Sequence, residues 1–466
     1  MELTISTTGI GAYAAYLPAY ALTDNRLDAS GPARPAGPAR SVASFDEDTV
    51  TMAVEALRHL PAGRSLLLAT TSAPYEAKTS AGIVHEALGL DPGVAAADLR
   101  GHRSGATALD LVTATGAAAA LADLRTTRPG APDELAQGDA AAAFVGGTAA
   151  AVLLGRAAHT AEILERWRLP GERHDRVWDE RFTAEILADA GLAAARRALA
   201  EAALDAVDHV VVSSSNARAA AALRKRLRGS GDDAAVERAT GFTGAAHPGL
   251  LLADALDRAE PGQTILLLSA TEGADAFVFR VADGVRSARR GPAVRERLAD
   301  RQTLGYGRYL RWRGLLDVQG PARPAAPAPA APPMHRRAGW KYRLEGSRCG
   351  ACGRITTPPS RVCASCGIAG ELAGEGGGKV SLRDRTARVV SVTRDHLTTM
   401  PEPDVAIVVA DVDGGGRLTA YATDTPSGDV TVGMALTPTF RRLWTTDGIH
   451  NYFWKLRPAK DFTDGQ

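Results

Sequence analysis

The first 283 residues alternate short apolar runs with longer stretches of helical periodicity. A short continuous apolar run indicates a buried strand, and apolar residues at every third or fourth position indicate a helix. The elements predicted for the first half are a strand at 65–71, a helix at 79–88, and a hairpin of strands 140–145 and 150–154 around Gly146-Gly147.

A second half repeats this arrangement up to residue 283. Its predicted elements are helix 183–204, strand 209–213, helix 217–227, a helix from Pro248 to 256, and strands 264–269 and 276–281. Proline suits the first helical position, because the N–H at that position has no intrahelical partner. Two similar halves predict a duplicated, layered α/β domain over residues 1–283.

Composition divides the remaining chain into three segments. Residues 284–335 begin with arginines, continue with an aromatic helical pattern, and end in a Pro/Ala-rich stretch at 321–333 that predicts a stiff linker without a helix. Residues 336–372 hold every cysteine. Residues 373–466 have period-2 alternation, which predicts a small OB-type β-barrel. Its predicted strands are 387–393, 405–412, 417–423 and 434–440.

The four cysteines form one motif, C-x2-C-x10-C-x2-C, made of Cys349, Cys352, Cys363 and Cys366. Each C-x2-C pair forms a tight turn called a zinc knuckle. Two knuckles at this separation predict a zinc ribbon, in which four thiolates hold one structural Zn²⁺ in a tetrahedron. Two disulfides in a secreted protein are the alternative, but no secretion signal precedes the motif. If zinc takes all four thiolates, any reaction elsewhere in the chain proceeds without a thiol nucleophile.

Composition and charge narrow the classes of function. The chain has 466 residues, of which 45% are hydrophobic, and a net charge of +1. Such a near-neutral chain has no overall attraction to nucleic acid or to an anionic membrane. No run of 18 apolar residues is present, so no spanning helix is predicted. We therefore expect a cytoplasmic protein without a nucleic-acid or membrane partner.

Residues 1–283 resemble the thiolase superfamily, in its hydroxymethylglutaryl-CoA synthase and type III ketoacyl synthase branch. Residues from about 300 to 460 resemble the zinc-ribbon/OB domain that accompanies acyl-CoA thiolases and synthases. The motifs that carry these resemblances are Gly9–Tyr13, Leu17-Pro18, Asp46–Ala53, Gly138–Ala142, Trp178–Phe182, the ribbon, Arg441–Leu443 and Gly448–Lys455. The resemblance implies an αβαβα domain, a coenzyme A thioester as substrate, and a homodimer.

Catalytic members of this superfamily use a cysteine nucleophile, a histidine, and an asparagine or second histidine. The matching stretch Asp98–Gly105 places Arg103 at the position of the nucleophile, and the other two positions fall in 213–216 and 241–244. Arginine stays protonated and cannot act as a nucleophile. At a helix N-terminus it could hold an anionic oxygen. Its expected counter-charge is Asp98, Asp139, Glu76 or the ligand itself.

The candidate catalytic residues are His102, Arg103, Ser104 and His247. The triplet 102–104 lies where the superfamily's substrate channel ends, and a helix cap is the alternative interpretation. His247 precedes Pro248 and would lie at a helix N-terminus, either near the site or as a partly exposed cap.

Three other features have two interpretations each. The arginines between 286 and 297 could bind the CoA 3′-phosphate or form a solvated helix face. The aromatic tail at 452–454 could line a groove or pack internally. Aromatic and basic residues of an OB barrel could also bind single-stranded nucleic acid, a reading that the near-neutral charge argues against. That face would comprise Arg441, Arg442, Trp444, Tyr452, Trp454 and Lys455.

We expect an enzyme that acts on an acyl-CoA or a carrier-bound acyl group, as an acyltransferase, synthase or C–C lyase that uses acid/base chemistry. The zinc ribbon and barrel would help to guide the thioester. The alternative is a non-catalytic subunit that binds an acyl thioester and supports a thiolase or synthase partner.

Overall fold

The computed structural model describes residues 9–26, 38–229, 232–324, 326–369 and 377–459. They form two compact units. The first comprises the chain up to Ala43, then Asp48–Val84 and Asp91–Leu315, and the second comprises Ser44–Glu47, His85–Leu90 and the chain from Leu316 onward. The sequence-based boundaries at 283, 335 and 372 stay predictions.

The helices and strands up to residue 315 follow the predicted alternation. In chain order they are β1 (Gly9–Tyr16), β2 (Tyr20–Leu22), β3 (Arg40–Val42), α1 (Thr49–Leu57), β4 (Ser65–Thr70), α2 (Ala81–Leu88), β5 (Ala95–Arg100), α3 (Ser104–Thr115), β6 (Ala118–Asp123), β7 (Ala140–Gly147), β8 (Ala151–His159), β9 (Arg166–Trp167), β10 (Arg176–Val177), α4 (Glu180–Glu201), β11 (His209–Ser214), α5 (Ala217–Arg226), α6 (Asp232–Thr240), α7 (His247–Arg258), β12 (Thr264–Ala270), β13 (Ala274–Val281), α8 (Val285–Ala288), α9 (Val294–Ala299), β14 (Gln302–Thr303) and α10 (Tyr306–Trp312).

Nine strands of the first unit form one sheet in the order β11-β12-β13-β8-β1-β7-β6-β4-β5. The predicted hairpin of β7 and β8 is wrong, because β1 lies between them and pairs antiparallel with both. Gly9 permits this approach: a Cβ there would lie 2.0 Å from the Ala151 carbonyl oxygen. Gly146 and Gly147 are the last two residues of β7 and pair with Ile10 and Gly9 of β1, so they do not form a hairpin turn.

The layers of the first unit match the predicted duplicated αβαβα arrangement. Helices α3 and α7 share one apolar core with β1, β6, β7, β12 and β13. Helix α4 packs its alanine-rich face on β8, β12 and β13 in a second core, and α1 packs on β6 and β7. The two central helices therefore begin deep inside the unit, where their N-termini can position buried side chains.

Helix starts in this unit follow local capping chemistry. Asp48 and Thr51 form a capping box at α1, and the Asn216 side chain accepts the N–H groups of Arg218 and Ala219 at α5. Asn216, in the segment 213–216 that matches a catalytic position of the superfamily, therefore caps α5. Pro248 lies in the first turn of α7, as predicted.

The second unit contains two small helices, a ribbon sheet and a larger antiparallel sheet. Its elements are α11 (Ala331–Arg336), α12 (Ala338–Arg343), β15 (Glu345–Arg348), β16 (Ile355–Thr356), β17 (Gly378–Ser381), β18 (Ala387–Asp395), β19 (Val405–Val412), β20 (Arg417–Tyr421), β21 (Ala435–Thr446) and β22 (Ile449–Pro458). Helix α11 begins inside the predicted linker, because its two prolines occupy the first turn, where proline is tolerated.

The larger sheet has the order β20-β19-β18-β21-β22, and a bridge between Ala422 and Leu456 links its two edges. Closure into an OB barrel stays a prediction. The aromatic tail forms β22: Tyr452 and Trp454 are buried against Phe440, with ring centroids 5.7 and 5.4 Å apart, respectively. For Tyr452 and Trp454, internal packing is therefore the correct one of the two interpretations of the aromatic tail.

A cluster of buried charges lies inside the second unit. Asp46 accepts hydrogen bonds from Lys455 at 2.8 Å and from Thr423 at 2.8 Å, and Arg441 lies 3.2 Å from it. Arg441 also pairs with Glu47 at 3.0 Å and with Asp424 at 2.5 Å.

This burial bears on the nucleic-acid alternative. Arg441 and Lys455 are fully buried, as is Trp454, while Tyr452 is 1% exposed. The four side chains are therefore unavailable to a single strand.

Among the helices that the structure describes, none is long and apolar enough to cross a bilayer.

Candidate active site and metal centre

The four cysteines converge in the ribbon. Their sulfur atoms all lie within 4.8 Å of one another, with 3.7 Å between Cys349 and Cys366 and 3.6 Å between Cys352 and Cys363. Four sulfurs at a Zn–S distance of about 2.3 Å in a tetrahedron lie about 3.8 Å apart. The donor set therefore fits Zn²⁺.

The backbone of each knuckle supports this geometry. Gly353 and Gly367 have positive φ angles of 71° and 72°, and their N–H groups donate to the carbonyls of Cys349 and Cys363. Each turn thereby holds its two cysteines on the same side.

Arg103 lies at the N-terminus of α3, as the sequence predicts, but its partner is different. Its Nε and Nη2 donate to the two carboxylate oxygens of Asp275 at 2.7 and 2.9 Å, and Nη1 donates to Thr160 at 2.9 Å. These hydrogen bonds raise the pKa of the guanidinium. The pair borders a cavity of about 270 Å³ that Arg156 and Asp110 also line.

The expected protein counter-charges of Arg103 have other roles. Asp98 accepts the N–H groups of Ser80 and Ala81, at the start of α2. Asp139 is fully buried, accepts the N–H groups of Ala43 and Arg125, and pairs with Arg313. Glu76 is exposed. The counter-charge comes instead from β13, 172 residues after Arg103.

His102 is a buried imidazole beside a carboxylate. Its side chain is 9% exposed, and Nε2 lies 4.0 Å from Asp175 Oδ2. Burial and the nearby Arg125 lower the pKa of His102 to about 4, although Asp175 acts in the opposite direction. The imidazole is therefore neutral at pH 7. Its Nδ1 has no hydrogen-bond partner among the described residues.

Asp175 is held in its charged form. Burial alone would raise the pKa of this carboxyl, but Arg125, His102 and Arg168 outweigh burial and lower it. Arg125 donates directly to Asp175, and Arg168 lies 3.2 Å from it. The sequence analysis missed Asp175, because it lies in the loop between two very short strands.

Ser104 begins α3 and is 4% exposed. Within the part of the chain that the structure describes, its Oγ has no hydrogen-bond partner. Gly105 lets this first turn contact the segment before α7, because a Cβ there would lie 2.1 Å from the Ala245 carbonyl oxygen. The start of α3 is thus fixed by close backbone packing.

His247 is fully buried, which excludes the partly exposed cap. Its Nδ1 lies 3.4 Å from the Thr243 N–H and 3.3 Å from Thr243 Oγ1, and its ring lies 4.9 Å from Phe242. Burial lowers its pKa to about 4, and the charged groups that act on it are Glu237, Arg224 and Asp233, on α5 and α6.

His102 is influenced by a different set of charges, which lie between residues 123 and 175. His102, Arg103 and Ser104 are therefore gathered at the start of α3, and His247 faces different surroundings.

The turn between β12 and β13 lies against the start of α3. Thr271 Oγ1 is 3.4 Å from the His102 carbonyl; burial raises the pKa of the nearby Glu272 carboxyl, and the Arg103 N–H opposes this rise. Glu272 and Asp275 were missed, because nothing in the local pattern distinguishes acids in a hairpin turn from surface residues.

A polar cavity of about 280 Å³ adjoins Asp175. Its lining includes Arg125, Arg166, His174, Glu165 and Ser215. Glu165 is 4% exposed, and its Oε2 accepts the Ser215 hydroxyl at 2.7 Å, while its Oε1 has no partner among residues that the structure describes. The cavity therefore offers both hydrogen-bond donors and a buried acceptor to a polar ligand.

Of the arginines between 286 and 297, Arg286, Arg289 and Arg295 contact the end of α7. Arg286 donates to the carbonyls of Asp257 and Ala259, and Arg295 pairs with Asp254 at 2.8 Å. Cations at a helix C-terminus stabilise the helix dipole. These contacts support the structural interpretation of the arginine run.

Comparisons with known proteins find matches for the zinc ribbon and for the first part of the chain. Residues 338–372 match the family described as "ChsH2, rubredoxin-like zinc ribbon domain". The hydroxymethylglutaryl-CoA synthase of Methanopyrus kandleri is 30% identical over 308 residues, which cover 59% of this chain and 87% of the relative. The synthase of Archaeoglobus fulgidus is 30% identical over 307 residues, covering 60% and 88%.

Solved structures have the same fold as the first unit. "MvaS in complex with 3-hydroxy-3-methylglutaryl coenzyme A" aligns with a TM-score of 0.53 and 17% identity, covering 70% of this chain and 94% of that one. "PksG, a HMG-CoA Synthase from Bacillus subtilis" aligns with a TM-score of 0.55 and 16% identity, covering 66% and 89%. With its duplicated α/β layers and 30% identity over most of a synthase, the chain belongs to the hydroxymethylglutaryl-CoA synthase family.

Proposed function

We propose that this protein acts on an acyl thioester of coenzyme A or of a carrier, and that it forms or cleaves a C–C bond, or transfers the acyl group, without a cysteine nucleophile. The observation that carries the proposal is the location of the thiols. All four cysteines of the sequence lie between residues 349 and 366, and their sulfurs cluster as a zinc-binding set. The rest of the chain must therefore use oxygen and nitrogen groups.

The site residues have distinct roles in this proposal. His102 is a neutral imidazole that donates or accepts a hydrogen bond at the start of α3, and Asp175, 4.0 Å away, orients it. Ser104 and the N–H groups of the first turn bind the thioester oxygen, because a helix N-terminus favours developing negative charge. Arg103 fixes the turn through Asp275. His247 supports the segment before α7, on which α3 packs.

The ribbon has a structural role in the proposal. Cys349, Cys352, Cys363 and Cys366 hold one Zn²⁺, which stabilises a segment too small to fold on its own core. We further propose a homodimer, which light scattering of the purified protein would test.

A non-catalytic subunit is the second candidate. It is favoured by the bidentate pair of Arg103 and Asp275, which satisfies the cation at the former nucleophile position without a ligand. Such a subunit would bind an acyl thioester and support a thiolase or synthase partner.

Turnover of acyl-CoA substrates by the purified chain distinguishes the two candidates. The enzyme proposal expects product formation by the chain alone, and a loss of about 10²–10⁴-fold for His102→Ala if this group transfers a proton. Turnover that appears only after addition of a second thiolase-fold protein, and that is unchanged by His102→Ala, would establish the supporting role instead.

A further inference from the structure

Lys341, in the second unit, has surroundings that differ from those of the other lysines that the structure describes. Lys455 is fully buried, and Asp46 pairs with it at 2.8 Å. Lys341 is also buried, at 9% exposure, but its partners are of a different kind. The remaining described lysines are exposed: Lys78, Lys225 and Lys379.

The amine of Lys341 contacts neutral groups. Its Nζ donates a hydrogen bond to the side-chain amide oxygen of Asn451, on β22. The same nitrogen lies 5.5 Å from the centroid of the Tyr342 ring. An amide oxygen and an aromatic face attract a cation more weakly than a carboxylate does, so the buried ammonium is only partly compensated.

The elements around Lys341 carry almost no negative charge. Helix α12 packs against α11, β15 and β22, and the only carboxylate in these four elements is that of Glu345. This carboxylate pairs with Arg343 at 2.7 Å and with Lys379 at 3.8 Å. The three neighbouring elements also hold basic residues: His335, Arg336, Arg348, His450, Lys455 and Arg457.

These surroundings favour the neutral amine of Lys341. Burial lowers the pKa of this amine to about 8. At pH 7 about one such amine in ten is neutral, compared with about one in 2,500 for a lysine with the ordinary pKa of about 10.4. Only the neutral amine is a nucleophile, and burial without a counter-charge is one way in which proteins activate a lysine.

We propose that Lys341 is a modification site that takes the acyl group directly from an acyl thioester, an inference that rests on the thioester ligand of the proposed function. The neutral Nζ attacks the thioester carbonyl carbon, so that a C–N bond forms and the C–S bond breaks. The thiolate of coenzyme A leaves and takes up the proton that the amine loses. The products are an amide on Lys341 and a free thiol, and the amide no longer places a positive charge in a buried position.

Acetylation rates at individual lysines test this inference. The full-length, zinc-loaded protein is incubated with acetyl-CoA, and peptide mass spectrometry follows each lysine separately. At pH 7 we expect Lys341 to react at least about tenfold faster than Lys78 and Lys225, because its neutral fraction is larger. Its rate should level off above about pH 8, while the rates at the exposed lysines keep rising toward pH 10. In protein unfolded by urea the difference should disappear. A rate at Lys341 equal to or below that at Lys78 would overturn the inference.

Two variants of Asn451 separate activation from exposure. Asn451→Asp places a carboxylate beside the amine and stabilises the ammonium, so acetylation of Lys341 should slow by about tenfold or more while Lys78 is unaffected. Asn451→Leu is the matched control, because it changes the same contact without adding charge, and it should keep the fast rate. Zinc content and Tm report whether both variants are folded. An unchanged rate at Lys341 in Asn451→Asp would overturn the inference.

The outcomes also distinguish this inference from the proposed function. Turnover of acyl-CoA without preferential acetylation at Lys341 would overturn the modification site and leave the proposed function intact. Preferential acetylation at Lys341 in a chain that does not turn over acyl-CoA would support the modification site and count against the enzyme proposal alone.

Discussion

The buried charge cluster of the second unit gives a quantitative prediction for Asp46→Asn. The substitution keeps the shape of the side chain and removes one negative charge from a site where Asp46 is fully buried. Lys455 at 2.8 Å and Arg441 at 3.2 Å then lose an anionic partner. Removing one member of a buried ion pair leaves a charge that neither water nor a partner compensates.

The pKa of Asp46 gives the size of the effect. Burial alone would raise it, but Lys455 and Arg441 outweigh burial and lower the pKa from 3.8 to about 2. At 1.36 kcal/mol per pKa unit, the ionised carboxylate contributes roughly 2 kcal/mol to stability. Burial lowers the pKa of Lys455 more than Asp46 raises it. The stabilisation is therefore assigned to the ionised carboxylate of Asp46 and not to the Lys455 ammonium. We expect Asp46→Asn to cost about 2 to 5 kcal/mol at pH 7.

Urea unfolding of the full chain, with hydrogen exchange of peptides from β21 and β22, measures this cost. Asp411→Asn is the matched control, because its pair with Arg417 is more than half exposed, and solvent screens such pairs. Because the folded pKa is lowered, the difference between wild type and Asp46→Asn should be constant above about pH 5 and shrink as pH falls toward 2. An Asp46→Asn protein as stable as Asp411→Asn would refute the reasoning.

Three further predictions concern the metal, the start of α3 and the histidines. Elemental analysis should find one Zn²⁺ per chain, and Cys363→Ser should lower the zinc content and the solubility of the second unit; iron in place of zinc would contradict this. Arg103→Ala should destabilise the first unit by roughly 1–3 kcal/mol in urea, because it leaves Asp275 unpaired, and adding Asp275→Asn should recover part of the loss; an unchanged urea midpoint would count against the pair. Because the folded pKa values of His102 and His247 are about 4, below the unfolded value near 6.5, stability should fall as pH drops from about 6.5 to 4, and replacing both histidines by Gln should flatten that part of a Tm-against-pH curve.

Local patterns predicted the elements and failed where distant strands decide the pairing. Short stretches of sequence determine the alternation of strands and helices and the spacing of the cysteines. The structure confirms the elements and the thiol cluster that were predicted from them. The pairing of β7 and β8 with β1 depends on residues at 9 and 10, far from the predicted hairpin. A hydrophobic pattern gives no such register.

The candidate site was predicted in part for the same reason. His102, Arg103 and Ser104 are neighbours in sequence and share the start of α3. Asp275 and Glu272 reach that point from a hairpin about 170 residues later, and their acidic side chains resemble ordinary turn residues. Only the packed fold brings these two parts of the chain together.

The composition of the second unit has a consequence for gene design. Because Ser44–Glu47 and His85–Leu90 belong to that unit, a fragment cloned from Leu316 onward would lack Asp46 and Glu47. Lys455 would then lose its pair with Asp46, and Arg441 would lose its pairs with Asp46 and Glu47. Such a fragment should express poorly. Recombination that moved only the segment from Leu316 onward into another gene would therefore separate the second unit from two short segments that belong to it.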